Sequence, residues 1–238
     1  MNEVTVNLSS ISKSFERRKV LADVNLHVTA GESVFVCGIN GVGKSTLLRI
    51  ASGLLAPDNG SVRICNGDIA KDPEKTKTKL GVISHKSMLY SNLTVHENLT
   101  FFAKLYGVAD CASRIDELLA NLELNSFRYD KAEILSRGLL QRLAIARALI
   151  HSPSVLLADE PFTGLDRKSS DHLVSFLNDF VDDEHLVLMT THDINFGLMC
   201  CSRVIVLDNC KIIFDTAISD VDIPEFSKDY LVYARSRL

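Results

Sequence analysis

At 238 residues, with 46% hydrophobic and 24% charged side chains, the chain has the balance of an ordinary globular protein and ample apolar material for a core. A net charge of −4 argues against a dedicated nucleic-acid binder, which carries a basic excess. No apolar run approaches the ~18 residues that a bilayer-spanning helix needs, so any membrane portion is expected on another polypeptide.

Val24, Leu26 and Val28 alternate with polar residues and predict a half-buried strand ending at the turn Ala30-Gly31. Ser33–Cys37 is a short apolar run, as expected of a strand covered on both faces. After a glycine-rich stretch, Lys44–Ser52 predicts a buried helix stopped by Gly53. Pro57-Asp58-Asn59-Gly60 is a turn into the strand Val62–Ile64. From Thr94 to Ile150 the pattern is helical, with Val95, Leu99, Phe102 and Leu105, then Ile115, Leu118, Leu119 and Leu122, at spacings of three and four. Buried strands return at Val155–Ala158, Leu186–Met189 and Val204–Leu207, the last forming a hairpin with Lys211–Asp215 around Asn209-Cys210. After Thr216 no clear pattern is left. The picture is an α/β core, residues 1–85 and 150–215, interrupted by a helical lobe, 86–149, and followed by a tail, 216–238.

The six cysteines, Cys37, Cys65, Cys111, Cys200, Cys201 and Cys210, show no C-x-x-C spacing, and Met1–Val6 lacks the apolar run of a signal peptide. Reduced thiols of a cytoplasmic protein are expected. Cys37 falls in a buried strand and Cys200-Cys201 on an apolar helix, which reads as core packing. His27, His96, His151, His172 and His185 are expected on solvated faces or strand ends.

The stretch Gly38-Ile39-Asn40-Gly41-Val42-Gly43-Lys44-Ser45 fits G-x-x-x-x-G-K-[ST]. Glycines let the backbone wrap closely enough for N–H groups to bind phosphate oxygens, and the helix that follows aims its positive end at the same charge. Gly38, Asn40, Gly41, Gly43 and Thr46 are placed in this cradle, with Lys44 on the β- and γ-phosphates and the Ser45 hydroxyl on Mg²⁺. Such a pattern arises by chance in about one chain in a hundred of this length, but here it also stands between a buried strand and a helix.

A second site lies at Val155-Leu156-Leu157-Ala158-Asp159-Glu160-Pro161, an apolar strand ending in two acids. Carboxylates at a strand's C-terminal edge face the crevice where α/β sheets bind ligands. Asp159 is placed to hold Mg²⁺ or its water, and Glu160 to take a proton from an attacking water. The competing reading is a charged turn after a core strand.

Leu135-Ser136-Arg137-Gly138-Leu139, followed by Leu140–Leu149, resembles the signature and helix of the ABC ATPases, with Ser136 lying 23 residues before Asp159. Pro161–Asp166 resembles the family's D-loop, His192 its switch histidine, and Phe15 the aromatic residue stacked on adenine. The order of these elements, running from Val4 to Asp215, carries the assignment. It implies an α/β P-loop NTPase of the ABC type, with a mixed sheet core, an antiparallel β subdomain and an inserted helical lobe. It also implies a head-to-tail homodimer that sandwiches two ATP molecules between the phosphate loop of one subunit and the signature of the other. Ser136, Gly138 and Asp166 would then belong to the composite nucleotide site, Lys44 and His192 would act on the γ-phosphate and Glu160 would be the base. ATP and Mg²⁺ are the expected cofactors, integral membrane permease subunits the expected partners, and the inner face of the cell membrane the expected location.

Two positions depart from the family. His85 stands where glutamine is usual, as nucleotide contact and metal ligand; protonation there would repel the cation, so activity is expected to fall below about pH 6.5. In the signature, Arg137 replaces a glycine and Leu139 a glutamine. His85, Leu89-Tyr90 and Asn92–Leu99 resemble the ATPases of haem exporters in cytochrome c maturation. Lipid, drug or polysaccharide exporters remain alternatives, as do a soluble ABC ATPase such as an iron–sulfur assembly factor and a non-hydrolysing nucleotide-gated regulator. Met88–Tyr90, Phe101, Phe102 and Tyr106 are candidates for a permease-docking surface; lobe core is the competing reading for Phe102.

Overall fold

In the computed structural model, which describes residues 3–84 and 87–236, the first sheet is wholly antiparallel. It comprises β1 (Thr5–Phe15), β2 (Arg18–Thr29), β4 (Asn59–Ile64) and β5 (Gly67–Asp68) in the order β2-β1-β4-β5. The second sheet comprises β3 (Ser33–Cys37), β6 (Leu80–Ile83), β7 (Val155–Asp159), β8 (Leu186–Thr190), β9 (Arg203–Asp208) and β10 (Lys211–Ala217). Its order is β10-β9-β3-β8-β7-β6, parallel except for the β9–β10 hairpin. Asn209 and Cys210 both take positive φ there, 46° and 66°, as a tight two-residue hairpin requires.

The described residues also form eight α-helices, besides short 3-10 turns: α1 (Lys44–Ala51), α2 (Pro73–Lys77), α3 (Val95–Leu105), α4 (Cys111–Asn121), α5 (Arg137–Leu149), α6 (Arg167–Phe180), α7 (Ile194–Cys200) and α8 (Ile223–Ser236). Among the described residues, no helix is long and apolar enough to cross a membrane. A reciprocal capping box starts α3: the Thr94 hydroxyl accepts from the Glu97 N–H, and the Glu97 carboxylate accepts from the Thr94 N–H.

The parallel strands are buried on both faces, and their period of two sorts side chains into separate clusters. Leu156 and Ala158 of β7 and Val187 and Met189 of β8 join Val95, Leu99, Ile115, Leu119 and Leu143 from α3–α5. Val155, Leu157, Leu186 and Leu188 instead meet Leu47 and Ile50 of α1 and the inner face of the antiparallel sheet. Phe102 and Tyr106 pack partly buried against the first cluster, whereas Met88, Tyr90 and Phe101 are exposed.

Three expectations need correction. The segment after Thr216 is ordered: β10 reaches Ala217, and α8 starts where the Asp222 carboxylate accepts from the Glu225 N–H at 3.0 Å. Its apolar positions Ile223, Phe226 and Tyr230 recur at three and four, a pattern too short and too interrupted by charge to stand out. Cys201 lies beyond α7 in extended backbone; only Cys200 is helical. His151 is not on a solvated face: it is half-buried, with its ring stacked on Tyr106 at 3.9 Å.

Candidate functional site

At the C-terminal edge of the parallel sheet, β3 ends at Cys37 and the chain turns through Gly38–Gly43 into α1. Two glycines are required there. A Cβ at Gly38 (φ 156°) would lie 2.6 Å from the Leu207 carbonyl oxygen, and one at Gly43 (φ 120°) would lie 2.9 Å from Val20 Cγ1. The turn aims the open N-terminus of α1 into a cavity of about 680 Å³ lined by Phe15, Glu16, Arg18, Val20, Asn40, Gly41, Gly43, Lys44, Ser45, Thr46 and Glu160. Unpaired first-turn N–H groups and the helix dipole make that end attractive to an anion.

Lys44 is buried, and its ammonium donates to the carbonyls of Gly38 (2.6 Å) and Ile39 (3.2 Å). Burial holds its pKa below the ordinary lysine value, opposed by Glu160, Cys37 and Asp159. The ammonium is thus held by backbone oxygens that a phosphate oxygen can replace.

Parallel register puts Asp159, the last residue of β7, beside Thr190, the last residue of β8. The Asp159 Oδ1 accepts from the Ser45 hydroxyl at 2.9 Å and from the Thr190 hydroxyl at 2.7 Å. Ser45 and Asp159 therefore offer two hard oxygens side by side at the edge of the phosphate cradle. That donor set fits Mg²⁺, which binds through one or two carboxylates completed by phosphate oxygens and water.

Glu160 follows with φ 56°, a conformation uncommon for a residue with a side chain. Its N–H donates to the Thr190 carbonyl at 3.0 Å, ending the ladder and turning the side chain out toward the cavity. The Glu160 Oε2 accepts from the His192 N–H at 3.2 Å and lies 2.7 Å from His192 Nδ1. Glutamate and histidine thus form a pair at the edge of the cavity.

Ser136, Gly138 and Asp166 stand apart from the cavity. Ser136 caps α5, its hydroxyl accepting from the Leu139 N–H at 3.3 Å, and is exposed at the surface. Gly138 packs in the first turn, where a Cβ would be 3.1 Å from the Gly164 carbonyl. Asp166 caps α6 through the Ser169 N–H at 2.8 Å, and hydrogen bonds from Ser169 hold its carboxyl below the usual range. His85 lies outside the described residues.

Sequence reading missed Thr190 and Gln141. Thr190 closes an apolar strand with a buried hydroxyl, the same signal that marked Asp159 on the neighbouring strand. Gln141 donates from Nε2 to the Pro161 carbonyl at 2.8 Å, tying α5 to the segment after Glu160; a glutamine on a helix carries no such signal. Arg18 and Glu16 were likewise unmarked, because Glu16 lies in the β1–β2 turn beside Phe15 and Arg18 opens β2.

Residues 21–163 match the family model described as ABC transporter. The chain is 32% identical to the ABC transporter ATP-binding protein NatA of Bacillus subtilis (strain 168), with 98% of each covered. It is 31% identical to the Nod factor export ATP-binding protein I of Paraburkholderia xenovorans (strain LB400), over 97% of this chain and 77% of that one. Among solved structures, it matches the ATP-binding cassette MJ0796, described as a dimeric post-hydrolysis state bound to ADP and Pi, with a TM-score of 0.82 and 31% identity. That match covers 90% of this chain and 98% of the other.

Proposed function

We propose, for a chain that belongs to the ABC transporter family of ATP-binding subunits, that it binds Mg-ATP in the Gly38–Thr46 cradle and hydrolyses it within a head-to-tail homodimer. One observation carries this reading: the Ser45 and Thr190 hydroxyls converge on one Asp159 carboxylate oxygen while Glu160 and His192 pair beside the same cavity. In the proposed cycle Lys44 leaves the Gly38 and Ile39 carbonyls for the β- and γ-phosphates. Phe15, exposed at the cavity rim, stacks on adenine. Ser45 and Asp159 would hold the metal ion, which would neutralise developing phosphate charge. His192 orients the Glu160 carboxylate and contacts the γ-phosphate, and Glu160 accepts the proton of the attacking water.

The dimer is supported by what the single chain leaves unused. Ser136 and Gly138 stand away from the cavity, with the open end of α5 at the surface, where they can close a partner's site. The description of the cassette MJ0796 as dimeric supports a dimer here. For transport, the exposed rings of Tyr90 and Phe101, edge-on at 4.9 Å, offer a docking surface for a membrane permease. Phe102 and Tyr106 contribute to the lobe core beneath. The resemblance at His85 and Leu89–Leu99 points to haem as cargo. Neither relative described above is a haem exporter, so the proposal stays at ATP-driven transport through separate membrane subunits.

Glu160→Gln tests the assignment. The variant is expected to bind ATP and dimerise while its turnover falls about 10²–10⁴-fold, the usual contribution of a positioned base. Normal turnover would sink the role of Glu160. Integral membrane proteins co-purifying with the ATP-trapped variant support a transporter, whereas a soluble scaffold alone favours the assembly-factor reading.

A further inference from the structure

Two segments leave neighbouring strands at the edge of the phosphate cavity, and each turns at once. Because β7 and β8 pair in parallel, with Asp159 beside Thr190, Glu160 and His192 follow from the same edge of the sheet. After Glu160 the backbone closes a turn, in which the Thr163 N–H donates to the Glu160 carbonyl at 3.2 Å and Phe162 lies between them. After His192 the Asp193 carboxylate caps α7, accepting from the N–H groups of Asn195 at 2.9 Å and Phe196 at 3.4 Å. The two segments meet again through their rings. Phe162 and Phe196 stack with centroids 4.5 Å apart and planes 15° from parallel.

Both rings are seated on fixed neighbours. Phe162 is buried in the cluster that joins the sheet to the lobe helices, and Phe196 packs partly buried against it. Gly197, the next residue of α7, lies so close to the buried Phe35 that an added Cβ would stand 2.5 Å from its Cε1. Helix α7 therefore sits tight against β3. On the other side, Gln141 Nε2 donates to the Pro161 carbonyl at 2.8 Å and holds the turn that carries Phe162. The Arg167 guanidinium, one residue past Asp166, lies 5.7 Å from the centroid of the Phe196 ring. The Phe196 ring is thus a junction of the segments that carry Glu160, Asp166 and His192.

The polar pair itself is weakly protected. The His192 side chain is 66% exposed, so its 2.7 Å contact with Glu160 Oε2 competes with water. A pair this exposed is favoured by at most about fivefold on its own. A stacked pair of rings shifts an equilibrium by about two- to tenfold beyond the area it buries. The rings are therefore at least as strong a hold on the Glu160–His192 distance as the polar contact.

We infer that Phe196 is a positioning residue for hydrolysis: stacked on Phe162, it holds the segment after His192 against the turn after Glu160 and so keeps the Glu160–His192 pair formed. The inference rests on the reading that this pair acts on bound ATP. Neither ring lines the cavity, so loss of the stack lowers turnover and leaves nucleotide affinity alone.

The test uses the full chain in steady-state ATPase assays, titration of a fluorescent ATP analogue with Mg²⁺ present, and thermal unfolding. Phe196→Leu is expected to lower kcat by about two- to tenfold, with KM and analogue affinity within about twofold of wild type. Phe196→Tyr keeps the ring and should turn over nearly as wild type. Phe162→Leu should lose a similar factor, and the double variant should lose no more than the worse single one, because both remove the same contact. Hydrogen exchange reads the pair directly: the His192 N–H, which donates to Glu160 Oε2 at 3.2 Å, should exchange faster in Phe196→Leu while the β3 amides stay unchanged. Unchanged kcat in Phe196→Leu, an equal loss in Phe196→Tyr, or losses that multiply in the double variant overturn the inference. So does a fall in melting temperature with kcat and His192 exchange unmoved, which marks a purely structural contact. If the wild-type chain does not hydrolyse ATP, the ATP reading itself falls, and the exchange measurement still decides whether the stack holds the pair.

Discussion

Acid should destabilise this protein through His151, and the structure sets both the direction and the size of the effect. The imidazole sits where α5 ends, with Nε2 at 3.1 Å from the Leu80 carbonyl and its ring stacked on Tyr106. Its Nδ1 is buried without a hydrogen-bond partner among the described residues. Burial, helped by the nearby Arg147 and Arg114 guanidinium groups, lowers its pKa from 6.5 to about 4, against the Leu80 hydrogen bond. The folded value lies below the unfolded one, so the unfolded chain binds a proton over this interval and the native chain does not. The stabilisation is therefore complete above about pH 6.5 and drains away as pH falls to about 4. A gap of that width is worth at most about 3 kcal/mol, and partial exposure of the ring reduces it to about 1–2 kcal/mol. Urea unfolding at pH 7.5 and pH 4.5 measures it. Wild type should lose about 1–2 kcal/mol more between the two than His151→Gln, which cannot titrate but can still donate to Leu80. Equal losses in the two proteins would refute the reasoning.

Two further outcomes follow from packing and from the metal edge. In Gly197→Ala the new methyl would stand 2.5 Å from Cε1 of the fully buried Phe35, so the variant should lose about 1–3 kcal/mol; an unchanged melting temperature would show that Phe35 has room to move. Thr190→Val keeps volume but removes a buried donor to Asp159, worth about 1.5–3 kcal/mol because the acceptor is charged. The Mg²⁺ concentration for half-maximal ATPase should shift in that variant while metal-free nucleotide binding stays the same; a shift in neither, or in both alike, counts against Asp159 as the metal-side carboxylate.

Most of the sheet could be read from the chain because a strand buried on both faces leaves a dense apolar run, as at Ser33–Cys37, Val155–Ala158 and Leu186–Met189. The end of one run also marked the site, since the acids Asp159 and Glu160 closing an apolar strand have an unusual address, whereas the hydroxyl of Thr190 closing the next strand went unread. Contacts made across long sequence separations were not legible. Nothing local says that Thr190 lies against Asp159; parallel pairing decides it. Helix α6 was missed because its face of Ser169, Ser170, Leu173, Val174 and Leu177 begins with two small polar residues. The tail was missed for a similar reason: Phe226 and Tyr230 become informative only once β3, β9 and α7 offer an apolar face for them to cover.

The two signature departures look less alike once their surroundings are known. Leu139 replaces a polar residue, but its side chain packs against the lobe cluster, and only its N–H reaches the Ser136 cap. Side-chain identity there leaves the cap intact, because the bond uses backbone. Arg137 is a different case. It is exposed, and its Cβ would be 3.3 Å from a Cβ placed on Gly164, so a glycine at 164 makes room for it. Its side chain lines a small hollow of about 170 Å³ together with Gln141, Thr163 and Glu160. A cation has thus been added near the carboxylate proposed as base, on the surface proposed to meet a second subunit. Of the two changes, Arg137 is the one positioned to alter the composite site, through charge rather than through the cap.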